Sequence, residues 1–487
     1  MAVEKADNAT TPGAMEEQRV GATPQQAQDR IESDDANELP ADEKVATPDV
    51  PAENIFSQGG ANYRTLSCWD TVFVLLTNQI GLGVLSLPGC LQVLGVIPGL
   101  IGIIGIGLVS YYTAFQLLQF YKRYPHVVNV VDMCGIIGGR WLEIVAGLGL
   151  LIKVMFTSAS ASVTLSVAFN TLSGHAFCTV AFLTIAVVAN WILCLPRTVK
   201  FVSQTGIPST VSIVAAALIV MISLGVSDPA RAPPGWEKEI KIVGNPGFRD
   251  AVNACLKLCY AYAANISFVS YMAEMKDPVK DFPKALACLE AFSITTYSVI
   301  AVAIYCLAGQ YTTSPALGSA PTIAAKAAYG VVLPAVFATA MSFGHTGAKY
   351  MYVVAMRSMK ATHQITDKSV KSWSTWIGCV TLYWVLVWVL SNAIPIFDSI
   401  LAISSATTIA WFTFGLSAIF WFHLNKGSMF SNWLMMILFV VNVLLIVQSL
   451  FMNAAGLWSS ITELLDIFNS DSSKVRGAFS CGDNSAI

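Results

Sequence analysis

Apolar residues run along this chain in blocks of twenty or more, separated by short polar stretches that carry most of the charge. Wound as a helix at 1.5 Å per residue, such a block matches the ~30 Å hydrocarbon core of a bilayer. The blocks predict about eleven spans, over 69–91, 95–121, 141–169, 177–195, 203–226, 250–274, 285–308, 330–357, 374–393, 397–422 and 432–452. The first is broken near its middle by Asn78-Gln-Ile-Gly81-Leu-Gly83-Val-Leu-Ser-Leu-Pro88. Without water at that depth, each freed backbone N–H or C=O costs several kcal/mol unless protein, ligand or ion satisfies it, so irregular backbone there lines a cavity.

The sixth block reads Leu258-Cys-Tyr260-Ala-Tyr262-Ala-Ala264-Asn265-Ile-Ser267-Phe268 and closes with Glu274-Met-Lys276-Asp277-Pro278. Small residues followed by Asn and Ser break a helix less forcefully than Gly-x-Gly, and alone they fit a small-residue packing face equally well. Position tips the balance. Spans one and six are equivalent if spans one to five and six to ten form inverted halves, and paired interruptions mark the midplane site of a secondary transporter.

Composition agrees with the membrane reading: 55% of residues are hydrophobic, 12% are charged against the ~25% usual in soluble domains, and the mean hydropathy is +0.61. Residues 1–62 differ, with 13 Asp/Glu against 4 Lys/Arg and almost no aromatics, and read as a disordered acidic cytoplasmic tail. They lack the apolar run of a signal peptide, so the first block is expected to stay as a span. Lys122, Arg123, Arg140, Arg197, Lys200, Lys276, Lys280, Lys284, Arg357, Lys360, Lys368, Lys371 and Lys426 fall in loops of one side. The positive-inside rule then puts the N-terminus in the cytoplasm and the C-terminus outside. The expected division is 1–62 tail, 63–455 transporter domain and 456–487 short extracytoplasmic tail, with 457–468 able to form a surface amphipathic helix.

Intramembrane charges are costly and usually functional. Lys153 opens a stripe with Thr157, Ser160 and Thr164 on one face of span three, facing the bundle or bonding back to its own helix. Lys257 reads as a structural, snorkelling residue. His345 and Lys349 stand one turn apart in span eight, as coupling candidates or, for Lys349, a second snorkelling residue. The eleven Cys read as packing residues; Cys255 and Cys259 lack the His or Cys partners of a metal site, while Cys90 and Cys178 could both reach the outer face. Trp373 to Trp388, Trp411, Trp421 and Trp433 read as interfacial anchors and lipid-facing packing. No nucleotide loop, metal cluster or nucleophile constellation is present, which excludes an enzyme and predicts no cofactor, no metal and no nucleic-acid partner.

Gly81-x-Gly83-x-x-x-x-Pro88, the Ala-Tyr-x-Ala-Asn265 run with Met-Lys276-Asp-Pro278, and the eleven-span layout resemble the amino acid/auxin permease family over residues 63–455. Within it they are most similar to fungal neutral amino acid permeases of the N-system, methyltryptophan-resistance type. The resemblance implies an all-α polytopic fold of the LeuT type, a five-plus-five inverted repeat with an eleventh helix and helices 1 and 6 broken, and cation-coupled amino acid uptake. Two positions depart from relatives. Thr77 stands where sodium-coupled members carry Asn, with Asn78 one step off, and Asn265 stands where many carry His, so it cannot relay protons.

The substrate expectation follows from the breaks. Backbone N–H groups around Gly81, Leu82 and Gly83 suit a carboxylate, and carbonyls near Ala263 and Ala264 suit an ammonium. With no Asp or Glu near either break in sequence, and Tyr262 and Phe268 close by, neutral aliphatic or aromatic amino acids are favoured. Asn78 and Asn265 complete the expected binding set, with Thr77, Lys153, His345 and Lys349 as coupling candidates and protons as the coupling ion. A nutrient sensor with a transporter fold and a vacuolar exchanger are the alternatives, and a channel is disfavoured because paired breaks suit alternating access.

Overall fold

The computed structural model describes residues 64–197, 202, 204–365, 367, 369–394, 396–469 and 477–485; the expected acidic tail lies outside them. The regular structure of those residues is helical, with one isolated bridge between Leu66 and Met275 and no strand. Eight helices among them are long and apolar enough to cross a membrane. Thr179–Leu193 is apolar but shorter, and the first and sixth expected spans are each interrupted, the first into two helices with a short turn between them and the sixth into two helices.

The first begins as α1 (Cys68–Gln79), started by a capping box in which Ser67 and Asp70 satisfy each other's backbone N–H groups. It stops at Ile80 and Gly81, resumes as one tight turn over Leu82–Leu85, and continues as α2 (Leu87–Leu94) with Pro88 in its first turn. α3 spans Val96–Arg123. α4 (Val130–Ser173) starts earlier than hydropathy predicts, because the Asn129 side chain caps a first segment that then kinks at Gly139, where φ is +63°. α5 (Thr179–Leu193) and α6 (Gly206–Val226) complete the first half.

α7 (Phe248–Ala261) and α8 (Asn265–Met272) form the second interrupted span, split at Tyr262-Ala263-Ala264. α9 (Pro278–Ala308), α10 (Thr322–Ser358) and α11 (Val370–Ala393) follow. α12 (Phe397–Ser404) passes into a wider π-helical stretch, Ser405–Gly415, before α13 (Leu416–Leu424). α14 runs unbroken over Trp433–Asn469, so residues 457–468 are not a separate surface helix and the 455/456 boundary falls inside this one.

The core lies where α4, α6 and α10 pack together and where α9 packs on α1 and α3, which buries both interruptions in the middle of the bundle. Several Trp residues expected at the lipid surface belong to that core: Trp376, Trp384 and Trp421 are buried, whereas Trp373 and Trp433 are exposed. Cys178 forms a disulfide with Cys481, a partner that sequence spacing could not suggest, and Cys90 is a free thiol. Around it the C-terminal segment docks on α4, α5 and α11, with Thr179 donating to the Gly482 carbonyl, Asn484 to Ser166, and Phe479 N–H to the Asn392 carbonyl.

Candidate functional site

The two interruptions meet. A Cβ added to Gly83 would lie 2.6 Å from the Ala261 Cα, and one on Gly81 2.5 Å from the Thr339 Oγ1, so glycine lets the first break press against the end of α7 and against α10. On the other side, the Tyr297 hydroxyl of α9 reaches the Gln79 carbonyl at 2.5 Å and the Ala261 carbonyl at 3.0 Å. One phenol therefore serves the last residue of both half-helices, where carbonyls lose their intrahelical partners.

Between the breaks is a cavity of about 10 Å³, lined by Asn78, Gln79, Leu82, Gly83, Lys153, Thr157, Tyr260, Ala263, Thr339 and Phe343. That is room for about one water. Of the expected binding residues, Asn78, Leu82, Gly83 and Ala263 line it. Gly81 stands behind them against Thr339, and Ala264 is buried beyond the lining. Tyr262 and Phe268 pack on Tyr297 and Phe282. Asn265 opens α8 and ties it to α3, donating to Thr113 at 2.9 Å, while its amide oxygen faces the Ser110 hydroxyl at 3.4 Å.

The coupling candidates separate. Thr77 bonds back to the Phe73 carbonyl. Lys153 reaches the cavity, 1% exposed, with its ammonium 3.7 Å from the centre of the Phe343 ring and no carboxylate within ion-pair reach among the described residues. Thr157 and Thr164 do bond back to the Lys153 and Ser160 carbonyls, so the stripe faces the bundle while its threonines satisfy themselves; the Ser160 hydroxyl is buried with no hydrogen-bond partner among the described residues. His345 packs against Trp376 with the two rings tilted by 59°. Lys349 pairs with Glu274 just beyond α8, where Leu66 and Met275 form their bridge.

At the other end of the same span, Lys257 pairs with Asp398 at 2.7 Å, a partner that replaces the expected snorkelling. Hydropathy had also kept acidic residues away from the breaks. Glu290 corrects that: it comes from α9, 211 residues beyond its partner Gln79, and meets it at 3.0 Å. Gln79, Tyr260, Thr339 and Phe343 were missed because their relevance depends on which helix faces which break.

A family model described as "Transmembrane amino acid transporter protein" matches residues 64–462. The chain belongs to that family. This amino acid transporter is 28% identical over 433 residues to the "N amino acid transport system protein" of Neurospora crassa, covering 87% of this chain and 90% of that one. It is 28% identical over 453 residues to a "Transmembrane transporter" of Fusarium pseudograminearum, covering 91% and 92%. The crystal structure of MhsT in complex with L-phenylalanine aligns at 14% identity and a TM-score of 0.48, covering 83% of this chain and 99% of that one. Membership makes the chain a multi-pass membrane protein of amino acid transport, not an enzyme.

Proposed function

We propose that this transporter imports neutral amino acids across the plasma membrane by alternating access, driven by protons. The observation that carries the reading is the cavity at the meeting point of two interrupted helices. Leu82 and Gly83, at the start of a new helical turn, offer backbone N–H groups to a substrate carboxylate, and carbonyls at the end of α7 suit its ammonium. The described lining holds no Asp or Glu, and Lys153 would repel a cationic side chain, which favours neutral substrates. A cavity of about 10 Å³ is too small for any amino acid, so loading requires a more open arrangement of the same helices.

The opening segments of the two halves, α1 to α6 and α7 to α13, are both interrupted, which supports an inverted-repeat reading. Orientation draws on two features. Lys and Arg accumulate on the side of the N-terminus, and the Cys178–Cys481 link suits an oxidising compartment on the opposite face. Uptake of tritiated leucine and phenylalanine into reconstituted vesicles tests the proposal. Accumulation should follow an inward proton gradient, ignore sodium and resist competition by arginine. Strict sodium dependence, or substrate binding without flux, would overturn it.

A further inference from the structure

Glu290 is 3% exposed in the middle of the bundle. One carboxyl oxygen accepts from the Gln79 side-chain amide at 3.0 Å; the other has no hydrogen-bond partner among the described residues, and neither does the Gln79 amide oxygen. No Lys, Arg or His among those residues is within ion-pair distance of it. The groups that face it are Gln79 on α1, Ser110 on α3, Tyr262 at the second break and Tyr297 on its own helix. Ser110 directs its hydroxyl at the Tyr262 carbonyl and Asn265. α6, which also packs on α9, has no titratable residue, and the Cys90 thiol of α2 faces Lys257 and Asp398 instead.

A buried carboxylate with no cation and one empty oxygen is strongly disfavoured. Adding a proton resolves both vacancies. The carboxylic acid O–H donates to the amide oxygen of Gln79 while the amide N–H donates back, a cyclic pair that satisfies all four groups. The other buried charges are already engaged, Lys349 by Glu274 and Lys153 by the Phe343 ring.

We propose that Glu290 is the proton-binding site that couples transport to the proton gradient, with Gln79 reporting its state to the substrate cavity. The inference rests on the proton-driven reading above. When the bundle opens to the acidic side, cavity water delivers a proton to the Glu290 carboxylate; when it opens to the other side, the O–H returns that proton to water. Gln79 is suited to transmit the change, because it is the last residue of α1, is among the residues lining the cavity, and gives its carbonyl to Tyr297. Glu290 and Tyr297, seven positions apart and thus about two turns along α9, hold the same half-helix end by side chain and by backbone.

The test uses the full chain in vesicles with tritiated leucine and phenylalanine, comparing wild type, Glu290→Gln, Gln79→Leu and Lys349→Met. Glu290→Gln should keep amino acid exchange between preloaded vesicles and medium, yet lose accumulation driven by a proton gradient and lose the pH dependence of uptake. Gln79→Leu takes both partners of the cyclic pair from the acid form and one from the ionised form, so the pH midpoint of uptake should differ from that of the wild type. Accumulation and a pH profile unchanged in Glu290→Gln would overturn the assignment while leaving proton drive intact. So would loss of proton drive in Lys349→Met with Glu290→Gln unaffected. A wild-type protein indifferent to the proton gradient would instead sink the underlying reading.

Discussion

The two interruptions do the same structural job with different means. The first is built on Gly81 and Gly83, whose missing side chains let backbone press against the Ala261 Cα and the Thr339 side chain. The second contains no glycine: Tyr262 and Ala264, on either side of Ala263, keep ordinary right-handed or bridge-like backbone. It is held open from outside, by Tyr297 on the Ala261 carbonyl, by Asn265 on Thr113, and by Glu274 at its far end on Lys349. One break is thus encoded within its own segment, the other by its partners. A break enforced by close approach needs a residue type; a break enforced by hydrogen bonds needs only a neighbour in place.

The largest expected effect probes the externally held break. Lys349→Met leaves Glu274 as a buried charge without its partner, a loss of about 3–5 kcal/mol that should lower thermal stability in detergent, whereas Lys349→Met with Glu274→Met should recover most of it. A single variant as stable as wild type would show that the second break does not depend on this pair. Gly83→Ala comes next. Its Cβ meets the Ala261 Cα at 2.6 Å, so overpacking of about 1–3 kcal/mol should suppress uptake, and adding Ala261→Gly should not restore it, because the obstructing atom is backbone.

Gly81→Ala gives the contrasting case. Its Cβ meets side-chain atoms of Thr339, the nearest at 2.5 Å, and Thr339→Ala removes all but the Thr339 Cβ at 3.3 Å, so uptake should fall and then largely return in the double variant. Equal rescue at both glycines, or at neither, would erase the distinction between backbone and side-chain obstruction. The smallest effect belongs to Ala263→Gly, which adds only chain flexibility to a turn already formed and should cost at most about 1 kcal/mol in a melting measurement. A larger loss there would mean that the second break, too, is sensitive to the residue it contains.

Much of this was legible in the one-dimensional pattern. Apolar blocks, the Gly-x-Gly interruption and the weaker one in the sixth block gave an all-helical membrane protein with a cavity at two breaks, because bilayer thickness and backbone satisfaction act on local sequence. Asn78, Leu82, Gly83 and Ala263 were found on the cavity for the same reason, and Lys153 because a charge inside a span is costly. Where hydropathy failed, it failed on pairings. Trp376 and Trp384 look like interfacial residues until α10 is placed over them, and 457–468 looks like a separate helix until α14 is seen to run through it.

Sequence alone therefore determined which segments enter the membrane, where two of them stop being helical, and which glycines permit close approach, since each follows from neighbours in the chain. Tertiary structure alone decided that Glu290 meets Gln79 across 211 positions, that Glu274 neutralises Lys349, and that Cys178 finds Cys481 across 303. A buried charge or thiol states that it needs a partner, but its identity depends on how separate helices pack, and packing is set by the whole bundle at once.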